Sequence, residues 1–232
     1  MTAIDPRRPE VIAVDVPEDS RLTLDALADA AARLPEIHAQ HHLAQLGRLL
    51  PDGVVERLSL STPEVIRTIA TNQSWVMLQS LATLPEYQPL MRRVGAPHQL
   101  ALRSAGEPPT ANDLIAFVGS PHASVPFHYD VNHHLLVQVQ GTKRVHIGYF
   151  DDADERDRQL ARGLMEHRLN VDREPDRVDD FAIGPGEALV LPAFAFHAVE
   201  GDDDVSIALT YMVATVATER TRDHYKVMAR TA

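Results

Sequence analysis

The chain has no cysteine among its 232 residues. That excludes disulfides, thiolate metal sites and a cysteine nucleophile, and it agrees with a cytoplasmic location. No run of about 18 apolar residues occurs, so nothing reads as a membrane-spanning helix. The opening, Met1 to Glu10, is rich in proline and arginine and has no apolar segment of the signal-peptide kind. Basic residues are in deficit: 22 Lys and Arg stand against 33 Asp and Glu, a net charge of −11. Such a surface repels a phosphate backbone, so nucleic acid is not an expected partner. Much of the negative charge is concentrated at 151–155 and 202–204, which read as solvated loops. There is no Gly-x-Ser-x-Gly elbow, no P-loop, no dinucleotide fingerprint and no His-Glu-x-x-His. Internal repeats and low-complexity segments are lacking too.

What is there fits a soluble globular protein, with 44% hydrophobic and 24% charged residues. The length suits one domain, or one domain with an extension. The first twenty residues read as an extended or strand-forming arm. Thr23 caps an alanine-rich helix to about Arg33, with Leu24, Leu27 and Ala31 on one face, and Pro35 ends it. A second helical pattern covers Glu36 to Leu50, which would place His41 and His42 on a solvated helix face, and stops at the turn Pro51-Asp52-Gly53. Thr62-Pro63-Glu64 reads as an N-cap followed by proline at the first helical position. Trp75–Leu78 reads as a strand and Pro85 to about Arg93 as a helix. Up to about residue 110 the chain is therefore expected to be mostly helical.

Beyond that point short apolar runs recur between turn residues: Leu114–Val118, Leu135–Val139, Val145–Tyr149, Ala188–Leu191 and Ser206–Tyr211. Their spacing points to an antiparallel sandwich or barrel. A polar insert over about 151–180 contains a helical pattern from Glu155 to His167, and a C-terminal helix is expected from Glu219 to Arg230.

His128, Asp130 and His197 carry the chemistry. His128-Tyr129-Asp130 lies in a strand-like stretch, where residues two apart point the same way. One strand can thus offer an imidazole and a carboxylate to one metal while Tyr129 faces away. His197 follows Leu189–Phe196, also strand-like, and supplies a second imidazole from another strand. Two histidines and a carboxylate are the facial triad that holds Fe(II) and leaves coordination positions open. The bland alternative is a satisfied buried polar cluster.

The order and spacing of Ser120–Asp130, His134–Val145, Gly184–Pro192, His197–Val199 and Val205–Leu209 resemble the cupin-like JmjC proteins. That family includes protein hydroxylases acting on hypoxia-inducible factor and on ribosomal proteins. The resemblance covers roughly Leu114 to Val213. It implies a mainly β double-stranded β-helix (a jelly-roll barrel) over 111–216, with a helical extension over 1–110 and a terminal helix over 217–232. It further implies an Fe(II)- and 2-oxoglutarate-dependent oxygenase, with His128, Asp130 and His197 as metal ligands. Lys143 aligns with the residue that holds the distal carboxylate of 2-oxoglutarate, Arg144 being the competing anchor. Thr210 aligns with a polar position beside the co-substrate. Two positions depart from the pattern: Val125 replaces a threonine and His134 an asparagine, both near the co-substrate. The expected substrate is a small molecule or a peptide, with dioxygen, and related enzymes are often homodimers through terminal helices. A cupin enzyme that does not use 2-oxoglutarate, and a non-catalytic binding protein, are the competing readings.

The remaining polar and aromatic residues carry weaker expectations. His134 shares strand parity with His128 and Asp130 if no bulge intervenes, so its neighbour His133 faces outward. Gln138 shares that parity and is a candidate substrate contact. His122 and His146 are not expected to be ligands. Trp75 and Phe117 are expected in the core.

Overall fold

The computed structural model describes residues 4–15, 19–44, 47–50, 56–166 and 169–231. Eleven strands among them form two antiparallel sheets. In the larger sheet the order is β1 (Glu10–Ala13), β9 (Glu187–Leu191), β6 (His133–Gln140), β11 (Ser206–Thr215), β4 (Pro109–Gly119), β3 (Ser74–Leu78) and β2 (Ala39–Leu43). The smaller sheet runs β5 (Ser124–Tyr129), β10 (Phe196–Gly201), β7 (Lys143–Tyr149) and β8 (Arg177–Ile183). Leu136, Leu189, Leu191 and Ala208 of the larger sheet share one buried cluster with Val145, Ile147 and Ile183 of the smaller. The two sheets therefore face each other across a common lumen, the double-stranded β-helix that the family resemblance implies.

Side-chain alternation dictates the rest. Residues on the outer face of the larger sheet, such as Leu114, Leu135, Leu209 and Tyr211, pack with α1 (Leu24–Arg33), α2 (Thr62–Arg67) and α3 (Gln88–Ser104) in the main core. On the outer face of the smaller sheet Phe127, Tyr129, Phe196 and Ala198 pack with Leu160 and Leu164 of α4 (Ala153–Glu166). Tyr225 of the C-terminal helix α5 (Val216–Thr231) joins that cluster. Each fully buried Leu, Ile or Phe in these layers contributes about 1.5–3 kcal/mol. No helix is long and apolar enough to cross a membrane among the described residues.

Several elements differ from the sequence expectations. Glu36–His38 is a single 3-10 turn, and Ala39–Leu43 is a strand pairing with β3, so His41 and His42 lie on opposite faces of a sheet rather than on a helix. His41 is buried, 3.1 Å from both Thr62 Oγ1 and the Leu58 carbonyl. The pairing partner Ser74–Leu78 decides this segment, because tertiary pairing overrides a weak helical pattern. β1 and β3 agree with the expected strand-forming arm and strand, and β2 alone replaces an expected helix in the N-terminal part. The turn at 51–53 lies outside the described residues, as does His167 at the end of the insert helix.

Thr23 caps α1 as expected, accepting from the Ala26 amide. At α2 the cap is one residue earlier than read: Ser61 pairs reciprocally with Glu64, and Thr62 is already helical. The helix after Pro85 extends to Ser104 through Pro97. Strand β8 begins within the polar insert. Finally, Leu189–Phe196 is not one strand: β9 ends at Leu191, and β10 starts at Phe196 after the loop Pro192–Ala195.

Candidate metal centre

Strand register brings the three candidate ligands together. β5 and β10 are adjacent, with His128 directly opposite His197, and the two rings lie 4.2 Å apart between centroids. Asp130 follows at the end of β5. Its Oδ2 is 4.0 Å from His128 Nε2 and 3.6 Å from His197 Nε2. One ligand atom from each residue falls within 4.8 Å of the others, and this is the sole such group of three among the described residues. Tyr129 faces the other way, fully buried, and donates to the Leu160 carbonyl at 2.6 Å.

Both imidazoles are aimed by main-chain carbonyls. His128 Nδ1 lies 2.8 Å from the Pro126 oxygen and His197 Nδ1 2.9 Å from the Ala195 oxygen. A carbonyl only accepts, so Nδ1 carries the proton on each ring and Nε2 keeps its lone pair for a metal. Burial and the neighbouring His128 push the His197 pKa down to about 3, which keeps that ring neutral. Burial alone would raise the Asp130 carboxyl, but the imidazoles of His134, His128 and His197 hold it below its ordinary value. Two imidazoles whose Nε2 atoms are turned away from their backbone carbonyls and one carboxylate are the donor set a divalent first-row metal takes. The chemistry of these residues therefore fits such an ion.

The other sequence-derived residues distribute around this centre. His134 is buried on the lumen face of β6, with Nδ1 3.3 Å from Asp130 Oδ2 and Nε2 buried without a hydrogen-bond partner among the described residues. Thr210 is buried between Leu136 and Ile115. Val125 pairs with Val199 through a bulge in the β5–β10 ladder. Directly opposed residues share a face, so the bulge returns Val125 to the lumen despite its odd spacing from His128. Lys143 starts β7, four residues before Ile147, the cross-strand partner of His197. Its Nζ sits over the Phe117 ring at 5.9 Å, with no carboxylate at ion-pair distance among the described residues, and burial lowers its pKa to about 8.

Five further residues singled out in the sequence lie as follows. Gln138 has lumen parity, but its amide nitrogen is committed to Gln140 O, Gly141 O and Ser206 Oγ, so it ties the β6–β7 turn. Trp75 and Phe117 are half-buried rather than core, and Phe117 lies opposite Ala208 of the lumen cluster. His146 faces outward to Asp180 at 2.7 Å, and His122 sits at a turn with a positive φ. What sequence reading missed is the loop Pro192–Ala195. Its one signal is Pro192, which interrupts a strand-like run.

Residues 107–221 match the family model of the JmjC domain. No curated protein sequence matches the chain. Among solved structures, the chain is similar to Escherichia coli YcfD, described as a ribosomal oxygenase. The complex with cobalt and 2-oxoglutarate has 16% identity and a TM-score of 0.56, covering 90% of this chain and 49% of that one. The complex with cobalt and succinic acid has 14% identity, the same TM-score and the same coverage. The likeness is one of fold, and the chain spans about half the length of YcfD.

Proposed function

We propose that this chain, which carries a JmjC domain over residues 107–221, is an Fe(II)- and 2-oxoglutarate-dependent oxygenase. It hydroxylates an unactivated C–H bond of an amino-acid-like, peptide or natural-product substrate. The observation that carries this reading is the convergence of His128 Nε2, His197 Nε2 and Asp130 Oδ2 inside the barrel. The cobalt and 2-oxoglutarate of the YcfD complex support it by analogy of fold.

In this reading His128, Asp130 and His197 hold the iron. Iron bound there supplies the oxidising chemistry, in which 2-oxoglutarate and dioxygen are consumed as the substrate is oxidised. The protein supplies orientation and charge. Lys143 pairs with the distal carboxylate of 2-oxoglutarate. Four residues along a strand span about 13 Å, a distance that a lysine side chain and a five-carbon diacid fill together. Thr210 and the Nε2 of His134 face the same lumen and contact the co-substrate. The apolar side chains of Leu136, Val145, Ile147 and Leu189 keep the lumen dry, which strengthens a Lys–carboxylate contact.

The division into an extension over 1–110, a barrel over 111–216 and a terminal helix over 217–232 goes with this reading. So do a cytoplasmic location, a surface that avoids nucleic acid, and a homodimer through α5, whose Val227 is exposed.

One observation favours a second reading, a cupin metalloenzyme that does not use 2-oxoglutarate. Val125 offers no hydrogen bond in the lumen, and His134 brings a third imidazole to Asp130. Anaerobic loading with Fe(II), followed by 2-oxoglutarate and air, separates the two. Succinate release that depends on iron is the expected result. Tight iron binding with no 2-oxoglutarate binding and no succinate would overturn the first reading in favour of the second.

A further inference from the structure

The loop Pro192–Ala195 touches two of the three candidate ligands. Its Ala195 carbonyl accepts from His197 Nδ1 at 2.9 Å, and its Phe194 amide donates to the main-chain oxygen of Asp130 at 2.7 Å. Phe194 holds φ at +63°, a left-handed conformation that a residue with a Cβ rarely adopts. Such a conformation persists only when its surroundings over-determine it. On one side the Phe194 ring packs between Tyr129 and Tyr225, at 6.2 and 6.1 Å between centroids.

On the other side the loop is held from outside the lumen. The Ala193 amide donates to His133 Nδ1 at 3.3 Å. His133 is buried on the β6 face opposite to His134, and its Nε2 lies 3.3 Å from Glu107 Oε2. Arg7 fixes Glu107 in turn, with Nε 2.9 Å from Oε1 and Nη2 2.9 Å from the Ala105 carbonyl. An imidazole nitrogen accepts only when it carries no proton. A carboxylate oxygen of Glu107 only accepts, so the proton sits on Nε2 and Nδ1 stays free for Ala193. Glu107 thereby sets the tautomer that lets His133 grip the loop.

We propose that Glu107 and His133 are a positioning pair for the metal centre. They act from outside the barrel, through the Pro192–Ala195 loop, on the direction of His197 and Asp130. Neither touches the reacting groups, so neither is a catalytic residue. The proposal rests on the metal reading given above. It differs from a purely architectural role, in which the pair only fastens the segment after α3 to the sheet.

Cobalt(II) titrated into the metal-free protein distinguishes the two, because its visible spectrum reports ligand geometry and its binding curve reports affinity without any turnover. His133→Phe keeps the ring and removes the acceptor, while His133→Asn restores an acceptor near the position of Nδ1. His133→Phe is expected to weaken cobalt binding by about 10-fold or more, the scale of losses from outer partners of ligating histidines, and to shift the visible bands. His133→Asn is expected to recover most of both. Glu107→Leu is expected to move both in the same direction as His133→Phe, and it stands as the test if His133→Phe does not fold. A folded variant with a lower melting temperature but wild-type cobalt affinity and spectrum overturns the positioning role. Wild-type protein that binds no cobalt overturns the metal reading itself, a distinguishable result.

Discussion

Replacing Lys143 by methionine keeps the aliphatic stem and removes a charge that has no carboxylate partner among the described residues. Two opposite effects follow from one structural fact. In the empty protein, burial lowers the lysine pKa from 10.5 to about 8. The folded state therefore binds fewer protons than the unfolded state between those two values. Stability rises with pH through that window, and below pH 8 the full cost of the buried charge is present. A displacement of this size corresponds to at most about 3 kcal/mol. Lys143 is only partly buried, so solvent screening brings the net cost to about 1–2 kcal/mol. Lys143→Met should thus raise the melting temperature of the empty protein at pH 7 by about 2–8 °C. The same change should weaken 2-oxoglutarate binding by about 1.5–3 kcal/mol, the worth of a charge-assisted hydrogen bond, or roughly 10- to 150-fold. Calorimetric titration of 2-oxoglutarate into metal-loaded protein, with thermal melts of both proteins, reads the two effects side by side. Wild-type affinity should also hold below pH 8 and decline above it, as the free lysine loses its proton. Equal affinity in wild type and variant, or a melting temperature that falls, would refute the reasoning and make Lys143 an ordinary packed lysine.

Other outcomes follow from the same geometry. His128→Ala or Asp130→Ala should abolish Fe(II) binding while leaving the circular dichroism spectrum folded, since the three apolar clusters hold the barrel; unchanged iron stoichiometry in either variant would remove these residues from the metal site. Gly95→Ala should destabilise the protein by about 1–3 kcal/mol, because a Cβ there would lie 2.5 Å from the Tyr211 ring where α3 meets the sheet; chemical denaturation measures this, and a neutral result would mean that α3 can shift. Light scattering at micromolar concentration should give twice the chain mass of 25.7 kDa, and a monomer mass would discard the α5 dimer.

Much of the site is legible in the sequence because strands impose a period of two. That period alone aims His128 and Asp130 one way and Tyr129 the other, and the register of β5 against β10 agrees with it. Capping residues likewise mark α1, and turn residues mark most of the barrel strands, since these signals act within a few residues of chain. What the sequence does not hold is anything set by a partner distant along the chain. Ala39–Leu43 reads as helix because its strand pairing depends on Ser74–Leu78, more than thirty residues on. Val125 has the wrong parity for the lumen until a bulge opposite β10 corrects it. The tautomers of His128 and His197 escape the sequence for another reason: they are set by the carbonyls of Pro126 and Ala195, only two residues back but groups that every residue carries and that no side-chain pattern reveals. For His197 tertiary structure has a further part, because the loop that carries Ala195 is placed by contacts with Asp130, His133 and Tyr225. Local chain geometry thus determines which residues one strand offers on one face, and long-range packing determines which strands and loops bring them together.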